Sequence, residues 1–396
     1  MTRIRSRIAR YLRVLALLTV ALASLPAAAA SQTQSDITTK ARQAILMDAD
    51  SGAVLYQHNA DELMAPASMS KLMTLAVIFK ALKTGQIKLE DEFLMSVNAW
   101  RNGGAPSGTS AMMVPVNTKE PMEQLLQGII VQSGNDACMA IAEGMAGNEE
   151  AFARVMTEEA RKLGLTKSTF RNSTGLPDPE HMMTARELAI LTRHLIRDFP
   201  EYYGRFAQRE YQYRKHRFIN RNPILGTELG VDGLKTGYTK EAGYGIAASA
   251  KQGNRRLILI VNGLERQDER KNEAVKLLEW GFKSLTEYKL FDAGEVVGQA
   301  RVWGGNRMFL PLVGAEGVLV VFPRLPANQR LRAEIIYKAP LKAPIAKGDV
   351  VAHLRVTAPS QAVSEVPLVA AEDVPEGGVI RRGLDTLVHM AFRWAL

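Results

Sequence analysis

The sequence predicts an α/β (α+β) domain built on a central antiparallel sheet with a helical subdomain, then a small all-β domain and a C-terminal amphipathic helix. Three observations carry this. Strand-like segments stand at both ends of residues 31–288 with helical periodicity between them, so the terminal segments meet in a common sheet. Over 289–376, short β-rich runs alternate with Gly, Pro and Lys. After Gly377-Gly378 the chain returns to helical spacing.

Residues 1–30 read as a secretory signal peptide. Arg3, Arg5, Arg7, Arg10 and Arg13 precede an apolar-to-small run over 14–25, then Pro26 and Ala28-Ala29-Ala30. These are the positive segment, apolar segment and small-residue cleavage site of an exported chain. The apolar run falls short of the roughly 20 residues a membrane span needs. Those five arginines also supply more than half of the net charge of +9; the remaining +4 is too mild and dispersed for a nucleic-acid partner. A single cysteine, Cys138, excludes a disulfide framework, a cysteine-based zinc site and an iron–sulfur cluster. No two of the six histidines lie three to five residues apart, so there is no helical zinc motif, and no metal is expected.

In the first domain, AILM at 44–47 and AVLY at 53–56 are strands about the turn Asp48-Ala49-Asp50-Ser51-Gly52. Leu72, Met73, Leu75, Ala76, Phe79 and Leu82 then share one helix face, with Gly85 where a cap belongs. Further helical patterns cover 122–132, 137–147, 150–163 and 184–199. From Tyr244, YGIAASAK and RLILIVNGL read as two long antiparallel strands about Gln252-Gly253-Asn254, followed by a helix over 269–285. The β-rich runs of the second domain are VVGQARVW, MFLPLV, GVLVVFP, RAEIIYK and DVVAHLRV. In the final stretch, 377–396, Ile380, Leu384, Leu387, Val388, Ala391 and Ala395 share one helix face, flanked by Phe392 and Trp394. Arg382, Asp385, Thr386, His389 and Arg393 oppose them. So charged a helix cannot span a bilayer; its terminal place, Trp and arginines favour lying along a membrane surface over packing on its own protein.

Three short segments carry chemistry. Ser68-Met69-Ser70-Lys71 opens the first long helix, Ser133-Gly134-Asn135 joins two helical patterns, and Lys235-Thr236-Gly237 enters the strand region. Residues i and i+3 share a helix face, so the Lys71 amine reaches the Ser68 hydroxyl. A serine hydroxyl is a poor nucleophile until a base takes its proton, and a lysine is such a base only when burial or a second cation lowers its pKa. Lys235 is a candidate second cation. The Ser68 N–H at its helix start and a strand N–H after the Lys-Thr-Gly are candidates for an oxyanion hole. Ser133 is a candidate proton relay, Asn135 a hydrogen-bonding hand for a peptide, and Lys235 with Thr236 a carboxylate ligand.

Each motif alone is bland. Lys83-Thr84-Gly85 and Ser96-Val97-Asn98 are decoys, the first a helix end and the second a polar connection without helical flanks. What discriminates is the ordered set. Cys138 reads as a small core residue that a thiol reagent reaches only by accident, His181 as a loop hydrogen-bonder or a substrate contact, and Asp232 as support for a strand turn.

The ordered set resembles the penicillin-binding, active-site-serine family. PASMSKLMT, VQSGNDA and GVDGLKTGYT are similar to segments of the low-molecular-weight serine D-alanyl-D-alanine carboxypeptidases, as are FRNSTGLPDPEHMMTARELA and KAPIAKGDVV. The resemblance runs from about residue 39 to the C-terminus. It implies a penicillin-binding/serine β-lactamase-like transpeptidase fold and removal of the terminal D-alanine from peptidoglycan stem pentapeptides. It further implies acylation by β-lactams and no cofactor. By resemblance Ser68 is the acylated nucleophile, Lys71 its base and Ser133 the relay. Asn135, Lys235, Thr236 and Gly237 bind substrate, and Tyr238 gives the second oxyanion N–H. Thr118-Lys119-Glu120-Pro121 departs from the family pattern and puts local loop shape in doubt. A class A β-lactamase is disfavoured because 166–178 holds no glutamate. A DD-endopeptidase and a non-catalytic penicillin-binding scaffold stay open as alternatives. The signal and terminal helix together imply an exported protein at the periplasmic face of the cytoplasmic membrane.

Overall fold

The computed structural model describes residues 37–323, 329–359 and 363–378. The expected signal peptide, and the expected terminal helix beyond Gly378, lie outside them. The hairpin read from the sequence is β1 (Gln43–Asp48) and β2 (Val54–His58). A 3-10 turn, Ala67–Ser70, then feeds α1 (Lys71–Lys83), and Gly85 just past its end has a φ of +71°.

The next segment departs from expectation. α2 (Val97–Gly103) stands where the sequence suggested only a polar connection, capped by Ser96 Oγ, which accepts from Ala99 N at 2.9 Å. Seven residues are too few to show a period, so its cap is the sole local signal. β3 (Glu92–Leu94) and β4 (Lys119–Pro121) pair beside it, so the atypical Lys119-Glu120-Pro121 forms a short strand. The helix expected over 122–132 divides into α3 (Met122–Gln127) and a π turn, Gly128–Gln132. Gly128 permits the change in packing, because a Cβ there would meet Met112 Sδ at 2.3 Å.

α4 (Asn135–Ala146), α5 (Glu149–Lys162) and α6 (Ala185–Asp198) follow the periodicity closely, the last two capped by Asn148 and Thr184 side chains. After a single turn, α7 (Pro200–Tyr203), an unforeseen hairpin forms from β5 (Glu210–Tyr213) and β6 (His216–Ile219). β7 (Val231–Thr239), β8 (Gly243–Gln252), β9 (Arg255–Leu264) and α8 (Gln267–Ser284) complete the first part.

The central sheet runs β2-β1-β9-β8-β7, all antiparallel, so its first and last strands in sequence do meet as expected. β9 is apolar without alternation from Leu257 to Val261 because both its faces are covered there. Ile258 and Ile260 join the core on the helical side; Leu257, Leu259 and Val261 join a second core with Leu277 and Leu278 of α8. Phe79 anchors the larger core, its ring 5.0 Å from Tyr202, 5.9 Å from Phe199 and 6.3 Å from Phe206.

The β-rich runs form β10 (Leu285–Phe291), β11 (Val296–Trp303), β12 (Phe309–Val313), β13 (Val318–Pro323), β14 (Arg332–Ile336), β15 (Leu341–Lys342), β16 (Val350–Thr357) and β17 (Val363–Ala370). β10 pairs with β13, and the rest form one sheet ordered β14-β16-β17-β12-β11-β15 over a separate apolar core. No helix among the described residues is long and apolar enough to cross a membrane.

Phe79 is fully buried with three aromatic neighbours, so Phe79→Ala should lower unfolding free energy by about 3–5 kcal/mol in a denaturant titration. A loss below about 1 kcal/mol would show that the ring cluster is not a structural centre.

Candidate active site

Ser68 is presented by a strained turn. Ala67 before it adopts a φ of +47°, unusual for a residue with a side chain, and the 3-10 turn runs directly into α1. Lys71 is therefore the first residue of α1, and its Nζ donates to Ser68 Oγ at 3.0 Å. Ser68 is half-buried, whereas Lys71 is 0% exposed. Burial pushes the Lys71 amine down to about 8, and the Arg221 charge adds to the fall. A second cation thus contributes as the sequence suggested, with Arg221 in that role, and the Lys71 and Lys235 charges oppose each other.

The other ligand of Lys71 Nζ is the Thr174 carbonyl, at 2.5 Å. It comes from the loop 172–176, which the side chain of Asn172 folds by accepting from Thr174 N, Thr174 Oγ1 and Gly175 N. Gly175, at a φ of +76°, lies so close to the nucleophile turn that a Cβ would fall 2.0 Å from the Ala67 carbonyl oxygen.

Ser133 ends the π turn in a left-handed conformation, φ 63°, and its Oγ is buried without a partner. Asn135 opens α4; its Nδ2 donates to Thr109 Oγ1 at 2.9 Å, and its Oδ1 has no partner. Asp136, 0% exposed, accepts from the backbone N–H groups of Met112, Val114 and Ala137, tying the 112–114 segment over this corner.

Lys235, Thr236 and Gly237 lie in the interior of β7. The motif precedes the β8–β9 pair, as the sequence suggested, and itself sits in a third long strand whose Gly and Lys masked its pattern. Lys235 Nζ is buried and donates to the Thr236 carbonyl at 3.1 Å. Burial, then the charges of Lys71 and Arg221, hold it well below the usual lysine range. Gly237 allows the strand to sit on the nucleophile turn, since a Cβ would lie 2.9 Å from the Pro66 carbonyl oxygen. Tyr238, half exposed, stacks on Tyr244 with centroids 4.2 Å apart.

These elements enclose a cavity of about 460 Å³ lined by Ser68, Ser133, Thr236, Tyr238, Arg221 and Arg270, among others. Lys71, Lys235 and Asn135 are buried and are not among its lining residues. No carboxylate lines it among the described residues. A hydroxyl beside an amine of lowered basicity, in a cationic cavity, is equipped for acyl transfer on an anionic substrate.

A family model described as D-alanyl-D-alanine carboxypeptidase matches residues 28–265. The chain belongs to this family. A second model, described as the C-terminal domain of penicillin-binding protein 5, matches residues 286–376. D-alanyl-D-alanine carboxypeptidase DacC of Escherichia coli is 38% identical over 368 residues, which span 92% of each chain. The crystal structures of penicillin-binding protein 5 from Haemophilus influenzae superpose with a TM-score of 0.75 at 34% identity, over 86% of this chain and 99% of that one. Penicillin-binding protein D2 of Listeria monocytogenes, solved in an ampicillin-bound form, superposes with a TM-score of 0.55 at 28% identity, over 63% of this chain and all of that one. The fold is therefore the penicillin-binding α/β domain followed by the family's β domain, and the chain is a serine-type hydrolase of cell-wall peptides.

Against this carboxypeptidase frame, the remaining residues singled out from the sequence fall elsewhere. Lys83-Thr84-Gly85 ends α1, and Ser96 caps α2. Asp232 does not support a turn; its carboxylate pairs with Arg256 at 2.6 and 2.8 Å and accepts from Tyr203 Oη at 2.7 Å, tying β7 to β9. His181 is buried outside the cavity, pushed down to about 4 by its burial, with Nδ1 accepting from Arg171 N. Sequence reasoning missed Arg221, which donates to Ser110 Oγ at 2.5 Å, and Arg270, whose guanidinium lies over Tyr244. Each is a lone arginine without a local motif.

Cys138 is fully buried in the apolar core, and burial pushes its thiol up to about 12. The native protein should therefore show no reaction with a chromogenic disulfide at about pH 8, and one reactive thiol after denaturation. Rapid reaction of the folded protein would place the thiol at an accessible surface instead.

Proposed function

We propose that this chain removes the terminal D-alanine from peptidoglycan stem pentapeptides through an ester on Ser68, and that β-lactams acylate the same oxygen. The observation that carries this reading is the 3.0 Å contact between Ser68 Oγ and the buried Lys71 amine, in a member of the carboxypeptidase family.

The family resemblance and the contacts within the site support the following steps. Neutral Lys71 takes the Ser68 proton as Oγ attacks the carbonyl between the last two D-alanines. The oxyanion is met by the N–H groups of Ser68 and Tyr238. Protonated Lys71 gives that proton up through Ser133, whose hydroxyl has no internal partner, to the departing amine; the C–N bond breaks, and Lys71 is neutral again. Free D-alanine leaves while the acyl group stays on Ser68. Water then attacks the ester carbonyl, its proton passing to neutral Lys71 and from there to Ser68 Oγ as the acyl C–O bond breaks, which frees the shortened peptide and restores the serine hydroxyl. Asn135 holds the peptide backbone. Lys235 and Thr236 hold the substrate carboxylate, with Gly237 keeping the strand close enough to reach it. A β-lactam opens its ring at the same step, but its amine remains tethered and does not depart. The steps draw on no metal or organic cofactor.

The same reading puts the protein at the periplasmic face of the cytoplasmic membrane. It is supported by the signal-like residues 1–30 and the amphipathic pattern over 377–396, which is proposed to lie on the membrane surface.

Residues 31–396 should release D-alanine from a stem pentapeptide ending in D-Ala-D-Ala, and Ser68→Ala should release none. Because only the neutral amine accepts a proton, acylation should rise with pH through about 8, where Lys71 titrates. Acylation of Ser68 by a β-lactam without D-alanine release would instead indicate an endopeptidase or a binding scaffold.

Removing residues 377–396 should free the protein from membrane fractions and leave turnover of a soluble peptide unchanged. Persistent membrane association would place the anchor elsewhere.

A further inference from the structure

Lys71 needs more than burial to act as a base; its amine must be aimed. One of its two hydrogen-bond partners is a backbone carbonyl, Thr174 O, and a carbonyl is only as well placed as the peptide groups beside it. Ser173, immediately before, is 0% exposed and is gripped from two sides. Its carbonyl accepts from Thr74 Oγ1 of α1 at 2.7 Å. Its N–H and its hydroxyl both donate to the carboxylate of Glu149, at 3.1 and 2.6 Å. Glu149 is the first residue of α5, just after the Asn148 cap, so its backbone is fixed by the helix start.

We propose that Glu149 is a positioning residue for the catalytic base: its carboxylate fixes the Ser173–Thr174 peptide so that the Thr174 carbonyl holds Lys71 Nζ against Ser68. This rests on Ser68 and Lys71 being nucleophile and base. Glu149 itself lies outside the cavity lining and takes no part in bond making.

The carboxylate has an electrostatic consequence as well. The groups facing Lys71 are Ser68 on its own turn, Asp136 and Cys138 of α4, Glu149 of α5, Lys235 of β7, Arg221 before it, and His181 across the loop. Glu149 in turn faces Ser173, Lys71 and Glu143 of α4. Of the two acids near Lys71, Asp136 is committed to three backbone N–H groups of the 112–114 segment and α4. Only Glu149 is joined by hydrogen bonds to the loop that holds the amine. Its negative charge favours the protonated amine, opposing burial and Arg221. Glu149 thus aims Lys71 and also sets how much of it is neutral.

Glu149→Gln and Glu149→Ala separate the two effects. The amide still accepts from the Ser173 N–H but carries no charge, whereas alanine removes both. The readout is the rate of Ser68 acylation by a fluorescent penicillin from about pH 6 to about pH 10, with the thermal midpoint of each variant as a fold control. Both variants should move the rising limb to lower pH, by about half a unit to one unit. Glu149→Ala should also lower the high-pH plateau by about tenfold or more, and Glu149→Gln should lose less. If the alanine variant does not fold, the limb of the glutamine variant decides. A limb that stays in place in Glu149→Gln overturns the proposal, as does a wild-type plateau in folded Glu149→Ala. Titration of the Lys71 ε-carbon by 13C NMR, assigned by its loss in Lys71→Arg, reports the same charge effect without any turnover. An absence of acylation in the wild type would remove the reading of Ser68, while that titration would still test the influence of Glu149.

Discussion

The burial of one amine organises this molecule. Lys71 sits at the first position of a helix whose remaining length is packed into the main core, and its Nζ is left with a hydroxyl and a carbonyl for company. An ammonium in such a place is costly, so the proton it would carry in water is held loosely. Everything nearby serves that condition. The left-handed Ala67 turns Ser68 toward the amine, the 172–176 loop closes over it, and two glycines let sheet and loop press onto the turn. A methyl group at Gly237 or Gly175 would push one of these walls outward.

The cations around the cavity are arranged in depth. Arg221 and Arg270 line it, Lys71 and Lys235 are buried outside its lining, and two acids, the buried Asp136 and the half-buried Glu149, are held by backbone N–H groups rather than facing it. Ligand-facing charge is therefore positive although the chain is only mildly basic beyond its first 30 residues. A carboxylate entering the cavity meets this charge before any hydrogen bond forms. Burial first, with neighbouring cations adding to it, keeps two lysines less basic than lysine in water.

Much of this was legible in the residues. Helices with ten or more periodic positions, the apolar runs of β8 and β9, and the three short motifs in their order were all readable, because each rests on side-chain pattern. What escaped rests on backbone or on distance. The Thr174 carbonyl has no side-chain signature, and the π turn before Ser133 begins at Gly128, whose close contact with Met112 is not local in sequence. The ion pair of Asp232 and Arg256 joins residues on different strands, which no local pattern reveals. Short elements such as α2 and the β5–β6 hairpin hold too few residues to show a period. β7 was obscured because its function demands Gly and Lys where a strand would ordinarily carry branched apolar residues.

The order of the central sheet bears on how the enzyme comes into being. β9 is the middle strand, and Gln43 of β1 pairs with Asn262 of β9, more than 200 residues later. Until β9 has been synthesised, β1 and β8 have no common neighbour, and the sheet that carries β7 against the nucleophile turn is incomplete. Closing so long a loop adds little to the entropy cost, because that cost grows only with the logarithm of length. It does delay assembly, since distant pairings must wait for the whole intervening chain. A polypeptide that ends before β9 therefore lacks the strand that joins β1 to β8, and the central sheet closes only after more than two hundred residues have followed its first strand.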